Sequence, residues 1–264
     1  MRELPGGQQG DQWYDHKKGR ISASGMNDLA NYTKGGAESA KRETYRYRLC
    51  AERTTRILQN NKPPTPAMQW GIDQEQFALQ MFEKSCDLFV IPVGFVLHPT
   101  MDFAGASPDG LIEDATLEVK CPESTTYIKW KLSKGVPEEH VKQMQWQMAC
   151  TGRQKGIFIG YDPRQPEGNR IFFRDLPRDN EMIAKLEAEA IKMNAEVEAM
   201  IRDMGLSPTQ WLIEDGELAL PSKYAPKSKL NQDMEASLRA TEVIDDDWEQ
   251  IIERRVQRVE EGVA

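Results

Sequence analysis

With 264 residues, 39% of them hydrophobic and 29% charged, the chain can form one large domain or a domain with an appendage, and disorder throughout is excluded. The longest apolar run, near Leu88–Val96, is interrupted by Pro92 and too short to span a bilayer, and the start at Met1 lacks the apolar stretch of a signal peptide, so a cytoplasmic protein with no membrane association is expected. The net charge of −8 is unevenly spread: residues 231–264 hold ten acids against four bases, whereas residues 1–60 hold eleven bases against seven acids and offer the local positive surface that phosphate contact needs.

In chain order, residues 1–10 read as a loose lead-in. Ser22 or Ser24 is placed to cap a short helix through Asn31, which Gly35-Gly36 breaks. Glu38–Leu58 reads as a helix rich in Arg and Lys, followed by the linker Pro63-Pro64-Thr65-Pro66. Ala67–Ser85 reads as a second helix, with Trp70, Phe77, Met81 and Phe82 on an apolar stripe. Strands are expected at Leu88–Leu97, Asp102–Ala106, Gly110–Ile112 and Leu117–Val119, with turns at Pro99 and Pro108-Asp109-Gly110. Helices follow at Thr125–Ser133 and Glu138–Cys150, then strands at Gly156–Tyr161 and Arg170–Arg174. The clearest helix is Asn180–Met204, where Ile183, Leu186, Ala190, Met193, Val197, Met200 and Met204 recur in steps of three and four as a core-facing stripe. Strands flanked by helices define an α/β or α+β domain. After about Trp211 the chain reads as a linker with Pro221, Pro226 and a lysine cluster, then an amphipathic helix over Ala240–Glu260 that packs on its own protein or on another one. The expected division is therefore 1–211 and 212–264.

The chemistry concentrates at Pro108-Asp109 and Glu118-Val119-Lys120, a PD-x8-ExK run. A strand alternates its faces, so Glu118 and Lys120 share a side while Val119 faces away. Two carboxylates beside one ammonium suit a hard divalent cation, Mg²⁺ or Mn²⁺, and the lysine can steer or deprotonate an attacking water. The four cysteines are scattered without a C-x-x-C and only three histidines are present, so any metal is expected on carboxylates. Glu75 opens a third acidic position on the second helix. Gln143 lies near one helical face with Trp146, placed to bind phosphate or to hold Lys120.

Six landmarks then occur in one order: Trp13 with Ile21-Ser22-Ala23-Ser24, Trp70-Gly71 ending in Glu75, Ser107 to Gly110, Glu118 to Pro122, Gln143 with Gln145, and Tyr161-Asp162-Pro163-Arg164. In these the chain resembles the phage lambda exonuclease (YqaJ-like viral recombinase) family, on the PD-(D/E)xK restriction-endonuclease-like fold, over roughly residues 11–211. The resemblance implies a central mixed sheet flanked by helices and a 5′→3′ exonuclease on double-stranded DNA. That enzyme releases 5′-mononucleotides, leaves 3′ overhangs for single-strand annealing, uses two Mg²⁺ ions and forms a homotrimeric ring. It implies Asp109, Glu118 and the Val119 carbonyl as metal ligands, Glu75 at the second metal or its waters, Lys120 at the attacking water and Gln143 as support. It further implies a 5′-phosphate pocket with Ser24 and Ser107. There, Lys17 stands where the lambda enzyme has an arginine, which keeps the charge but loses the bidentate fork; Arg20 or Lys18 is placed to compensate. Arg20, Lys34, Met68 and Gln145 are further DNA-contact positions, although Met68 also suits a core. The alternatives are another PD-(D/E)xK nuclease such as an endonuclease, a platform that recruits a single-strand annealing protein, and a catalytically inactive DNA-binding relative.

Overall fold

The computed structural model describes residues 1–4, 8, 11–59 and 63–212. The chain divides into Met1–Ile213 and Glu214–Ala264; the second unit, with the expected linker and the Ala240–Glu260 helix, lies outside the described residues. The order is β1 (Arg2–Glu3), α1 (Asp11–Lys17), β2 (Ile21–Ser22), a 3-10 turn (Ala23–Gly25), α2 (Met26–Leu29), α3 (Ala40–Thr55), α4 (Pro66–Cys86), β3 (Val96–Leu97), β4 (Ala104–Ala106), β5 (Gly110–Ile112), β6 (Ala115–Lys120), α5 (Ser124–Leu132), α6 (Glu138–Thr151), β7 (Lys155–Tyr161), β8 (Ile171–Pro177), α7 (Asn180–Asp203) and a last 3-10 turn (Gln210–Leu212).

Polar side chains start the long helices. Ser39 accepts the Arg42 N–H at 3.2 Å ahead of α3, and Thr65 accepts the Met68 N–H at 3.3 Å ahead of α4. Asp179 accepts the N–H groups of Glu181 and Met182, both at 3.0 Å, ahead of α7. Each satisfies a backbone donor that the first helical turn leaves open. At the far ends, Arg56 after α3 and Asp87 after α4 turn left-handed, with φ of 58° and 54°. These caps trim the expected Glu38–Leu58 helix to Ala40–Thr55.

The strands form two mixed four-stranded sheets, β1-β3-β4-β2 and β5-β6-β7-β8, where one central sheet was expected. In the first, β2 runs parallel to β4 with Ser22 opposite Gly105. In the second, β6 is antiparallel to β5 and parallel to β7, with Glu118 opposite Phe158. Helices α5 and α6 make the β6-to-β7 crossover that a parallel pair requires. One apolar cluster packs Ala78 and Phe82 of α4 against Ala115, Leu117 and Val119 on one face of β6. A second gathers α3, α6, α7 and the first sheet around Trp146, Leu49 and Val197.

Three expectations change. The Leu88–Leu97 strand contracts to Val96–Leu97 plus a single bridge from Ile91 to Leu111, because Pro92 has no N–H to give to a ladder. Met204 falls beyond α7 and is 54% exposed, while Ile201 takes the buried place on the stripe. Helix α1 (Asp11–Lys17) follows the expected lead-in, at residues for which no element was expected. No helix among the described residues is long and apolar enough to cross a membrane.

Candidate active site

Asp109 precedes β5, and the Gly110–Leu117 pairing brings it across β6. Its N–H donates to the Leu117 carbonyl at 3.0 Å, and its Oδ2 accepts the Val119 N–H at 2.6 Å. The hairpin therefore fixes this carboxylate beside Glu118-Val119-Lys120. A Cβ at Gly110 would collide with the Val90 side chain, so the glycine of the Pro-Asp-Gly turn is needed for close packing.

Strand alternation turns Glu118 away from α4 and toward α6, where it is fully buried. Its Oε1 accepts from Gln143 Nε2 and its Oε2 from Gln147 Nε2, each at 2.6 Å. Lys120 Nζ pairs with Oε1. Gln143 and Gln147 are four residues apart, one helical turn, so one face of α6 grips both carboxylate oxygens. Gln147 escaped the sequence reading; the signal was its i+4 spacing from Gln143. The Gln147 amide can sit only one way, because the flipped group would place Oε1 against a carboxylate oxygen.

Gln145 corrects an expectation. It lies on the opposite face of α6 and is 1% exposed, donating to the Pro177 carbonyl at 2.8 Å and accepting the Asp179 N–H at 2.9 Å. A buried amide that ties α6 to the start of α7 is not at a DNA surface.

The remaining acid, Glu75, approaches from α4 on the other side of the sheet. Burial raises the pKa of Glu75 above its ordinary value, with Lys120 lowering it and Glu118 raising it. Burial also raises Asp109 well above its ordinary value, and the Glu118 and Glu75 charges add to that while Lys120 opposes it. Burial disfavours the Lys120 ammonium, but Glu118, Asp109 and Glu75 more than offset this and hold it above its usual value. The four groups thus share one electric field, with one cation for three acids. Among the described residues no three His, Cys, Asp or Glu side chains form a ready-made cage. Asp109, Glu118 and Glu75 nonetheless suit Mg²⁺, which binds through one or two carboxylates and keeps several waters. The excess negative charge is what such a cation neutralises.

A second group of residues adjoins the acids. Because β2 and β4 are parallel and in register, the residues following Ser22 and those following Gly105 leave the sheet at one end. Ser24 and Ser107 emerge there. Ser24 is exposed, with its Oγ 3.1 Å from Ser22 Oγ. Ser107 Oγ accepts from Trp13 Nε1 at 2.7 Å, and Lys17 Nζ stands 4.1 Å from the centre of the Trp13 ring. Burial lowers Lys17 to about 8, with Glu52 raising it, Arg48 lowering it and Asp109 raising it. The structure thus brings Lys17, Ser107 and Asp109 into one neighbourhood.

Other expected DNA contacts fare differently. Arg20 is committed to the fold, donating from Nε to the Asp102 carbonyl at 2.9 Å and from a terminal nitrogen to the His16 carbonyl at 2.7 Å. Lys18 pairs with Asp15. Neither is a free replacement for the fork that Lys17 lacks. Lys34 is exposed on the turn between Tyr32 and Glu38. Met68 is 60% exposed in the first turn of α4, so it is not a core methionine.

The Tyr161-Asp162-Pro163-Arg164 turn braces this end of the sheet. Buried Asp162 accepts from Ser124 Oγ at 2.7 Å, Arg164 Nε at 2.7 Å and Gln165 Nε2 at 2.9 Å. Arg164 also donates to the Pro122 carbonyl at 3.0 Å and lies 4.9 Å from the centre of the Trp70 ring. It thus links the loop after Lys120 to the helix that carries Glu75.

An Asp–Glu–Lys set at the end of a mixed sheet defines the nuclease-type PD-x-ExK class of site. The YqaJ-like viral recombinase domain matches residues 12–154, more than half of the chain. In fold, the chain is similar to the crystal structure of an alkaline exonuclease (LHK-Exo) from Laribacter hongkongensis: TM-score 0.68 and 35% identity, over 74% of this chain and 96% of that one. LHK-Exo in complex with dAMP aligns with TM-score 0.67 and 33% identity, over 74% and 98%. A phage related exonuclease from Haemophilus somnus 129PT shares the fold alone, with TM-score 0.57 and 13% identity over 70% and 96%. A comparison with curated proteins finds no match. The chain belongs to the YqaJ-like viral recombinase family.

Proposed function

We propose that this protein is a nuclease, and specifically a Mg²⁺-dependent 5′→3′ exonuclease on double-stranded DNA that releases 5′-mononucleotides. The observation that carries the reading is the Asp109–Glu118–Lys120 cluster, with Glu118 clamped by two glutamines and with Lys17 and Ser107 close to Asp109. The similarity to the alkaline exonuclease LHK-Exo, also solved in complex with dAMP, supports it. Residues 1–211 would form the nuclease unit, and double-stranded DNA ends would be its substrate.

Asp109, Glu118 and the Val119 carbonyl would hold the cation, with Glu75 ordering its water shell. The bound metal would supply Lewis-acid stabilisation of charge on the attacking and leaving oxygens. Lys120 Nζ pairs with Glu118 Oε1, so its ammonium is placed to orient the attacking water and to stabilise developing negative charge. Gln143 and Gln147 keep Glu118 in one orientation, which places ligand atoms before substrate arrives. Lys17, Ser24 and Ser107 would receive the 5′-terminal phosphate and set the scissile bond at Asp109.

The test is digestion of a linear duplex and a covalently closed circle with Mg²⁺ and with EDTA. The proposal expects label from a 5′ end to appear as mononucleotide, the circle to remain intact, and EDTA to stop the reaction. Cutting of the circle would move the assignment to an endonuclease of the same class.

A further inference from the structure

The expected phosphate-binding group beside Asp109 has an incomplete set of donors as the sequence reads it. Lys17 gives one ammonium, Ser24 and Ser107 give hydroxyls, and Arg20 and Lys18 are engaged elsewhere. Helix α3 supplies what is missing. It rests on the Gly19–Ser22 segment at two points: Tyr45 Oη accepts the Ser22 N–H at 3.3 Å, and Glu52 Oε2 accepts the Gly19 N–H at 3.0 Å. Gly25 permits the first contact, since a Cβ there would strike the Tyr45 hydroxyl. Residues three and four apart lie on one helical face, so Arg48 stands on this same stripe between the two contacts. Its guanidinium lies 4.5 Å from the centre of the Tyr45 ring and is half-buried. Among the described residues it donates no hydrogen bond and forms no ion pair, whereas Arg42 and Arg46 on the same helix are bound to Glu38 and Glu196.

We infer that Arg48 is the guanidinium fork of the terminal-phosphate pocket, acting with Lys17, Ser24 and Ser107 to select a 5′-phosphate monoester over a 5′-hydroxyl end. The inference rests on the exonuclease reading and names a residue outside the six landmarks of the sequence. The Tyr45 ring holds the guanidinium plane in place, which leaves its N–H edge for a phosphate and limits the freedom lost on binding. A monoester phosphate at neutral pH carries more negative charge than an internal diester, so a second cation favours the end over the interior. The Arg48 charge is also felt at Lys17, whose proton is held less firmly because of it, and an arriving dianion would relieve that repulsion.

The experiment uses the full chain with Arg48→Met, which keeps the stem over Tyr45 and removes the charge, and Arg48→Lys, which keeps the charge and removes the fork. The ratio of kcat/KM for 5′-phosphorylated over 5′-hydroxyl linear duplex is measured alongside binding of both duplexes in EDTA. Charge-assisted bonds of this kind give an expected loss in the ratio of about 10- to 100-fold for Arg48→Met, with Arg48→Lys intermediate. Equal losses on both ends, or an unchanged ratio and unchanged binding, overturn the inference. If the wild type cleaves neither duplex, the exonuclease reading fails, and the binding comparison in EDTA still decides the role of Arg48.

Discussion

Replacing Gln147 by leucine tests whether Glu118 works by being held still. The change keeps nearly the same volume in a fully buried position and removes the N–H that Glu118 Oε2 accepts at 2.6 Å. Water does not reach this oxygen to replace the lost donor, since Glu118 is also fully buried. A hydrogen bond to a charged group is worth about 1.5–3 kcal/mol, and each ~1.4 kcal/mol is tenfold in rate. If that energy serves to hold the ligand in place, kcat/KM falls roughly 10- to 150-fold. The half-saturating Mg²⁺ concentration should rise with it, because a carboxylate free to rotate is a poorer ligand. Gln143→Leu should cost less, about threefold to tenfold, since Gln143 is half-exposed and water can stand in for it. The assay is steady-state release of nucleotide from linear duplex across a Mg²⁺ series, with thermal melts to show that the fold persists. A Gln147→Leu protein that melts like wild type and keeps kcat/KM and Mg²⁺ dependence within about twofold would refute the reasoning.

Three further outcomes follow from the same geometry. Asp109→Asn should abolish nucleotide release yet raise the melting temperature in EDTA. Asp109 and Glu75 hold protons more tightly in the folded protein than in the unfolded one, so metal-free stability falls as pH rises through and above the ordinary carboxylate values. Asparagine should flatten that slope, and melts from pH 4 to pH 8 check it. Lys17, held at about 8, loses its charge as pH rises through that value; KM for 5′-phosphorylated duplex should climb above pH 8 and stay flatter in Lys17→Arg, read from KM between pH 7 and 9.5. Asp162→Ala removes a buried carboxylate with three side-chain donors and should lower stability at pH 7 by about 3 kcal/mol in denaturant melts. Asp162 titrates at about 2, burial notwithstanding, because Arg164, Gln165 and Ser124 donate to it; the deficit is therefore full above the ordinary Asp value and shrinks as pH falls through about 2.

How much of this was legible in the sequence depends on the reach of each signal. The α7 stripe could be read because one apolar period over 24 residues outlasts local noise. Of the first sheet, β3 and β4 fell inside expected strands but with wider bounds, and β1 and β2 were missed, since strands of two or three residues leave a period of two no room to appear. Asp109, Glu118 and Lys120 were legible as a motif, because a hairpin of fixed register brings near neighbours in sequence together. Gln147 was overlooked in favour of Gln145, although the helical period places Gln143 and Gln147 on one face and turns Gln145 away. Arg48 was invisible for a different reason. It comes from a helix more than 20 residues away from Ser24, and only the packing of Tyr45 and Glu52 on the Gly19–Ser22 segment reveals where it stands.

The three acids also differ in how firmly the fold holds them, and the difference has chemical consequences. Glu118 accepts from three side-chain nitrogens, counting the Lys120 pair; Asp109 accepts one backbone N–H; Glu75 accepts no hydrogen bond among the described residues. The rigid end of this series sits on the central strand β6, flanked by β5 and β7 and roofed by α6. The loose end sits on α4, which touches the sheet through the opposite face. A cation ligand that must not move belongs on the strand, whereas a group that orders exchanging water gains from a helix side chain free to choose its rotamer. Crowding three negative charges around one lysine disfavours the empty site, and that same repulsion favours cation uptake, so the strain in the free protein and the affinity of the site have one physical origin.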